Sequence, residues 1–287
     1  MRRDGARTTT EDPSMTNAGA PETQRWALVT GASAGIGAAF ARQLARRGCA
    51  LVLVARRRDR LETLARELEA AHGTRTLVVE LDLARPDAGA ALQERTQTEG
   101  IFVETLVNNA GYGVTGHFPA QPWETHRDFI QVLMTGLAEL CHRYVPEMQR
   151  RGRGRIVNVA SLAGLMPGSA GHTLYAASKA FVIKFSQSLA LENAARGVHV
   201  TALCPGFTYS EFHDVTGARP IVSKLPKFMW MTADEVAAEG LDAVERGDVV
   251  FINGRVNRAI WFVGKHLPDR LGLAMMRRQS RRFRVQD

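Results

Sequence analysis

Three cysteines in 287 residues, Cys49, Cys141 and Cys204, are an odd number, widely spaced and set among apolar neighbours. That excludes a disulfide framework and reads as buried thiols in a reducing compartment. No zinc-ligand spacing links them, and the eight histidines show none either, so no metal is expected. Long hydrophobic runs are also missing. The longest after Arg255, AIWFV, falls far short of the roughly 18 residues that span a bilayer. The first 25 residues lack the apolar stretch of a secretory signal and read as a polar, disordered leader, with Met15 an alternative start to Met1. No repeat, low-complexity tract or internal linker divides the body of the chain. The expectation is a cytoplasmic chain with one main domain, and 45% hydrophobic and 23% charged residues are an ordinary globular balance.

A net charge of +8 suggests nucleic acid only until it is located. Residues 255–287 hold nine Lys or Arg against two Asp, which leaves 28 basic and 27 acidic residues for the rest. The body is balanced and the tail is basic, so no nucleic-acid surface is expected over the fold.

Seven short apolar runs (WALVT, ALVLVA, TLVVEL, TLVNNA, RIVNVA, VHVTALC, DVVFIN) lie between residues 26 and 254. Segments 36–47, 60–71, 124–150, 174–196 and 233–246 intervene, with apolar residues three and four apart. Continuous apolar strands alternating with amphipathic helices predict an α/β fold: a doubly wound, seven-stranded parallel sheet of Rossmann type with helices on both faces.

After the first run comes Thr30-Gly31-Ala32-Ser33-Ala34-Gly35-Ile36-Gly37. Glycines here let the backbone turn sharply and approach a pyrophosphate at a helix N-terminus, although a ligand-free strand-to-helix turn has the same composition. At the end of the second run, where such folds place an acid that grips a ribose hydroxyl, Arg56 stands instead. A guanidinium pairs with a 2′-phosphate, so NADP(H) is the expected cofactor; the plainer reading is a solvated helix start over residues 56–60. Asp82, after the third run, suits either an adenine contact or a helix cap.

Tyr175 and Lys179 in YAASK share one helix face, and a positive charge near a phenol stabilises its phenolate. Ser161, just past the fifth run, is placed to donate to the oxygen that Tyr175 protonates. His172, three residues before Tyr175, is the histidine expected to line the pocket.

With TGASAGIG, NNAG (Asn108 to Gly111), NVAS-x-AG (Asn158 to Gly164), YAASK and CPGF (Cys204 to Phe207) in this order and spacing, the chain resembles the short-chain dehydrogenase/reductase family from about Trp26 to Ile252. The resemblance implies that Tyr175 is the acid/base, that Lys179 lowers its pKa and holds the nicotinamide ribose, and that Ser161 orients the carbonyl. It implies cofactor contacts from Gly31, Ser33, Gly35, Ile36, Gly37, Arg56, Asp82, Leu83, Asn109, Ala110, Gly111, Tyr175, Lys179, Pro205 and Gly206. A homodimer or homotetramer is the family habit. One position departs: Leu133 stands where members of the family usually have an asparagine that holds a water connecting the catalytic lysine to solvent.

Residues 207–231 carry Phe207, Tyr209, Phe212, Phe228, Met229, Trp230 and Met231 and read as an irregular lid over a bulky apolar substrate, or as a cover for the core. Residues 255–287 read as a basic amphipathic extension. Peripheral contact with an anionic membrane or an acidic partner is one reading of it, and a helix packed on the body or across a dimer is the other. The expected activity is NADP(H)-dependent interconversion of a carbonyl and an alcohol, with a non-catalytic dinucleotide-binding regulator or scaffold as the alternative.

Overall fold

The computed structural model describes residues 24–211 and 225–280. All but the last two residues of the expected leader over 1–25, residues 212–224 of the expected lid with Phe212, and the arginine-rich end from residue 281 lie outside the described residues.

Strands β1 (Trp26–Thr30), β2 (Ala50–Ala55), β3 (Thr76–Glu80), β4 (Val103–Asn108), β5 (Gly154–Val159) and β6 (Val198–Cys204) supply six strands of the main sheet. A pair of three-residue strands, β7 (Phe207–Tyr209) and β8 (Trp230–Thr232), stands outside it, and β9 (Val250–Ile252) completes the seven. The order is β3-β2-β1-β4-β5-β6-β9, parallel throughout. The chain therefore reverses its direction of growth between β1 and β4. In doubly wound sheets a ligand crevice opens at the carboxyl ends of the strands at this point.

Burial explains why the strand runs are unbroken. Ala27 and Val29 pack on one face against α1 (Gly35–Arg46) and α2 (Arg58–His72), while Leu28 between them packs on the other. That other face is covered by α3 (Ala88–Thr98), α5 (Gly136–Arg150) and α6 (Thr173–Asn193). Both side-chain rows of the strand are in cores, and a fully buried Leu or Val stabilises by about 1.5–3 kcal/mol. Helix α7 (Ala233–Arg246) joins the first face, opened by a capping box between Thr232 and Glu235 and closed by Gly247 in the left-handed region.

Several elements refine the expectations. The segment 124–150 divides into α4 (Trp123–Ile130), a π-helical turn (Gln131–Thr135) and α5. Helix α3 escapes apolar periodicity because its buried face is Ala88, Gly89, Leu92 and Thr96, only one of them large. The lid is not wholly irregular: β7 and β8 pair in parallel, and Trp230 stacks on Tyr209 with ring centroids 4.8 Å apart. After β9 come α8 (Arg255–His266) and α9 (Asp269–Ser280), which pack on the body, Trp261 reaching the core and Asn257 being buried. Cys49, Cys141 and Cys204 are all free and buried. Among the described residues no helix is long and apolar enough to cross a membrane.

Candidate active site

A cavity of about 770 Å³ opens at the carboxyl ends of β1, β4, β5 and β6. Its floor is the glycine turn. Gly31 adopts φ +67°, and a Cβ there would lie 2.8 Å from the Asn109 Nδ2 and 2.9 Å from the Ala110 Cα, so only glycine fits. Helix α1 starts at Gly35 with no side-chain cap on Ala34 and no acid in its first turn. Its first amides and dipole are thus left to an anion, as a pyrophosphate requires.

Every residue expected to touch a dinucleotide lines this cavity except Gly37. Gly37 faces the Gly31 carbonyl and the Asn109 side chain, where a Cβ would collide with both, so its part is to let α1 approach the sheet. Asn109 clamps the turn. Its side chain donates to the Thr30 carbonyl at 3.0 Å, and its backbone N–H and that of Ala110 donate to the Thr30 hydroxyl, each at 3.0 Å. Asp82 does not cap α3; its Oδ1 accepts from the Ala84 N–H at 3.0 Å while the residue lines the cavity beside Leu83.

Arg56 lines the cavity next to Arg57, whose guanidinium sequence reasoning missed. Arg57 donates to the Ser33 hydroxyl through Nε at 3.2 Å and Nη2 at 3.0 Å, and through Nη1 to Glu211 at 3.0 Å. Arg60 donates to the other Glu211 oxygen at 2.5 Å, and these two arginines hold the Glu211 carboxyl below its usual range. A cationic corner thus flanks the glycine turn, built from residues 24 and 151 or more apart in sequence. The turn and the uncapped helix end fit the pyrophosphate of a dinucleotide.

Ser161, Tyr175 and Lys179 converge on the opposite end of the cavity. Ser161 leaves β5 in extended backbone and opens a 3-10 turn (Leu162–Leu165), its hydroxyl accepting from the Ala163 N–H at 3.2 Å. Burial lifts the Tyr175 hydroxyl above the usual tyrosine range, and its hydrogen bond with Ser161 acts in the opposite direction. Lys179 lines the cavity beside it. The ammonium lies 5.8 Å from the Tyr175 ring centroid and donates to the Val159 carbonyl at 2.7 Å. His172 lines the cavity as expected, and burial lowers its pKa.

Burial depresses Lys179 to about 8 from the ordinary 10.5, with Cys204 opposing. Below pH 8 both folded and unfolded chains carry this proton and the full burial penalty applies. Between about 8 and 10.5 the unfolded chain binds more protons, so this group makes stability rise with pH. Melting of Lys179→Met beside the parent checks it: the variant's relative stability is greatest below pH 8 and declines towards pH 10.5. A pH-independent difference would contradict it.

Beneath the site runs a buried polar chain. Asn108 donates to Asn158 at 2.8 Å, Asn158 to Ser186 at 2.9 Å, and Ser186 to the Val182 carbonyl at 2.7 Å. It ties β4 and β5 to α6 and so sets Ser161 against Tyr175. Leu133 is buried, packed on Gly111, where a Cβ would sit 3.5 Å from its Cγ; Val132 beside it lines the cavity. Leu133→Asn buries an amide among apolar atoms at a cost of about 1–3 kcal/mol. We expect a lower melting temperature and altered kcat with unchanged cofactor affinity; unchanged kcat and pH-rate profile would show that the position has no part in proton supply.

Residues from the 207–231 segment and the C-terminal helices also reach the site. Of the lid residues singled out, Phe207 and Met229 line the cavity, whereas Met231 packs against the core. Asn257, Ile260 and Met276 from α8 and α9 line it as well, and Asn257 fills the space a side chain on Gly206 would take. Nothing local in the sequence marks these as site residues.

The model of the short chain dehydrogenase family matches residues 25–219. The chain is 40% identical over 224 residues to an uncharacterized oxidoreductase of Myxococcus xanthus (strain DK1622), covering 78% of this chain and 85% of the relative. A short-chain dehydrogenase from Sphingobium yanoikuyae, solved in complex with NADPH, is similar with a TM-score of 0.74 at 34% identity, over 92% of this chain and 96% of that one. The bulky-bulky ketone specific alcohol dehydrogenase from Comamonas testosteroni gives 0.70 at 30% identity, over 92% and 95%. Fold and site define an oxidoreductase built to hold a nicotinamide dinucleotide on a doubly wound sheet. The chain belongs to the short-chain dehydrogenase/reductase family.

Proposed function

We propose that the protein is an NADP(H)-dependent reductase of bulky, apolar ketones or aldehydes, with Tyr175 as acid/base. The observation that carries this is the hydrogen-bonded Ser161–Tyr175 pair in one cavity with the glycine turn, Arg56 and buried Lys179. When bound, NADPH would supply the hydride for the carbonyl carbon. Ser161 donates to the carbonyl oxygen and orients it, and Tyr175 Oη transfers its proton to that oxygen as the C–O π electrons move onto it. The Lys179 charge, held at the cavity by the Val159 carbonyl, stabilises the phenolate left on Tyr175. Ser33, Arg56 and Arg57 favour the phosphorylated dinucleotide, a reading that the NADPH-bound relative supports. Phe207, Met166 and Ile260 give the substrate end apolar walls, and the ketone specificity stated for the Comamonas testosteroni enzyme agrees with them.

The reading extends to a homo-oligomer in a reducing, cytoplasmic setting, with α8 and α9 acting as cavity wall rather than membrane anchor. A panel of aromatic, cyclic and long-chain ketones and aldehydes assayed with NADPH and NADH side by side tests it. Turnover with a ketone at a preference for NADPH is expected. Tight dinucleotide binding without turnover of any carbonyl would favour the regulatory alternative.

A further inference from the structure

A second cavity of about 390 Å³ adjoins the active site, and Met166, Pro167, Ile260 and Met276 line both. Among the described residues no charged or polar side chain lines the second chamber; Ala259, Val263, Leu267 and Met275 complete its side-chain wall. Met166 and Pro167 end the segment that begins at Ser161, so the chamber starts five residues from the group that orients the carbonyl. Helices α8 and α9 close upon these two residues through glycines: a Cβ on Gly264 would meet the Met166 Cε at 2.9 Å, and one on Gly272 the Pro167 Cγ at 3.0 Å. Val263 and Met275 are nevertheless 61% and 55% exposed, apolar side chains on the chamber wall that the other described residues leave uncovered.

We propose that this chamber binds the hydrocarbon tail of the substrate, which makes the preferred substrate a ketone or aldehyde with an extended alkyl or acyl chain rather than a compact ring system. This rests on the carbonyl-reductase reading of the adjoining site. A carbonyl held by Ser161 and Tyr175 directs a flexible chain past Met166 and Ile260 into a space where no described side chain offers it a hydrogen-bonding partner. Only apolar contact rewards it, and each methylene adds a nearly constant increment. Methionines suit such a wall, since an unbranched thioether adjusts to chains of different length.

The test is a series of methyl ketones from hexan-2-one to tetradecan-2-one with NADPH. We expect kcat/KM to rise about fourfold per methylene, the ratio that corresponds to roughly 0.8 kcal/mol per buried CH₂, until the chamber is full. Ala259→Phe, a change at an exposed position of the chamber wall, should lower the ratio of dodecan-2-one to hexan-2-one at least tenfold, and Ala259→Met should lower it less. The same series is read as equilibrium binding without turnover, by calorimetric titration, so that chamber and chemistry are judged separately. Turnover with a flat chain-length profile, or a profile that Ala259→Phe leaves intact, would overturn the chamber assignment while leaving the reductase standing. Graded binding without reduction would overturn the reductase while leaving the chamber.

Discussion

Tyr175→Phe is expected to lower kcat for ketone reduction by roughly 10³-fold, within the range of about 10²–10⁴ for loss of a positioned general acid. The ring stays in place and only the hydroxyl that faces Ser161 is lost. Substrate and dinucleotide affinities should therefore change by less than about threefold, and the melting temperature by a few degrees, as fits one hydrogen bond worth about 1 kcal/mol. The split matters more than the loss. A structural role for Tyr175 would raise KM or lower stability along with kcat. A proton donor should lose only the chemical step. Steady-state kinetics and thermal melting of the purified variant check both, and a kcat within tenfold of the parent would remove Tyr175 from its role.

Arg56→Ala is expected to raise the KM for NADPH about 10- to 100-fold and to leave that for NADH within about threefold. A charge-assisted hydrogen bond to phosphate contributes about 1.5–3 kcal/mol, and 1.4 kcal/mol is one factor of ten. NADH lacks the 2′-phosphate and so has nothing to lose. Arg57 differs because it already holds Ser33 and shares Glu211 with Arg60, so its removal also frees the glycine turn and should weaken both dinucleotides. Equal losses for the two cofactors in Arg56→Ala would show that Arg56 is a solvated helix start and nothing more.

Legible in the sequence are the features in which one stretch of chain does one job. Each strand run is apolar on both rows because both faces of the sheet are covered, and TGASAGIG and YAASK are local turns and faces. Features that depend on distance stay hidden. The Arg57–Ser33 pair joins residues 24 apart, and Glu211 reaches the same corner from the far side of the sheet. Ile260 and Met276 look like one amphipathic stripe among others until α8 and α9 are seen against Met166 and Pro167. Helix α3 hides because small residues face the core. The mutual effect of Lys179 and Tyr175 is also out of reach, since helical spacing puts the two on one face without revealing that the ammonium is drawn to the Val159 carbonyl.

Direct reduction of a carbonyl carbon in the cavity of Ser161, Tyr175 and Lys179 is the central claim, and the fate of the transferred hydride tests it most directly. The parent protein and Tyr175→Phe are incubated with dodecan-2-one and NADPH deuterated at the transferable C4 position, and the product is read by mass spectrometry. The parent should yield dodecan-2-ol with one deuterium on the carbinol carbon, in amount equal to the NADPH consumed, and the variant roughly a thousandfold less, as loss of a general acid implies. NADPH oxidation without deuterated alcohol, or equal product from the variant, would contradict it.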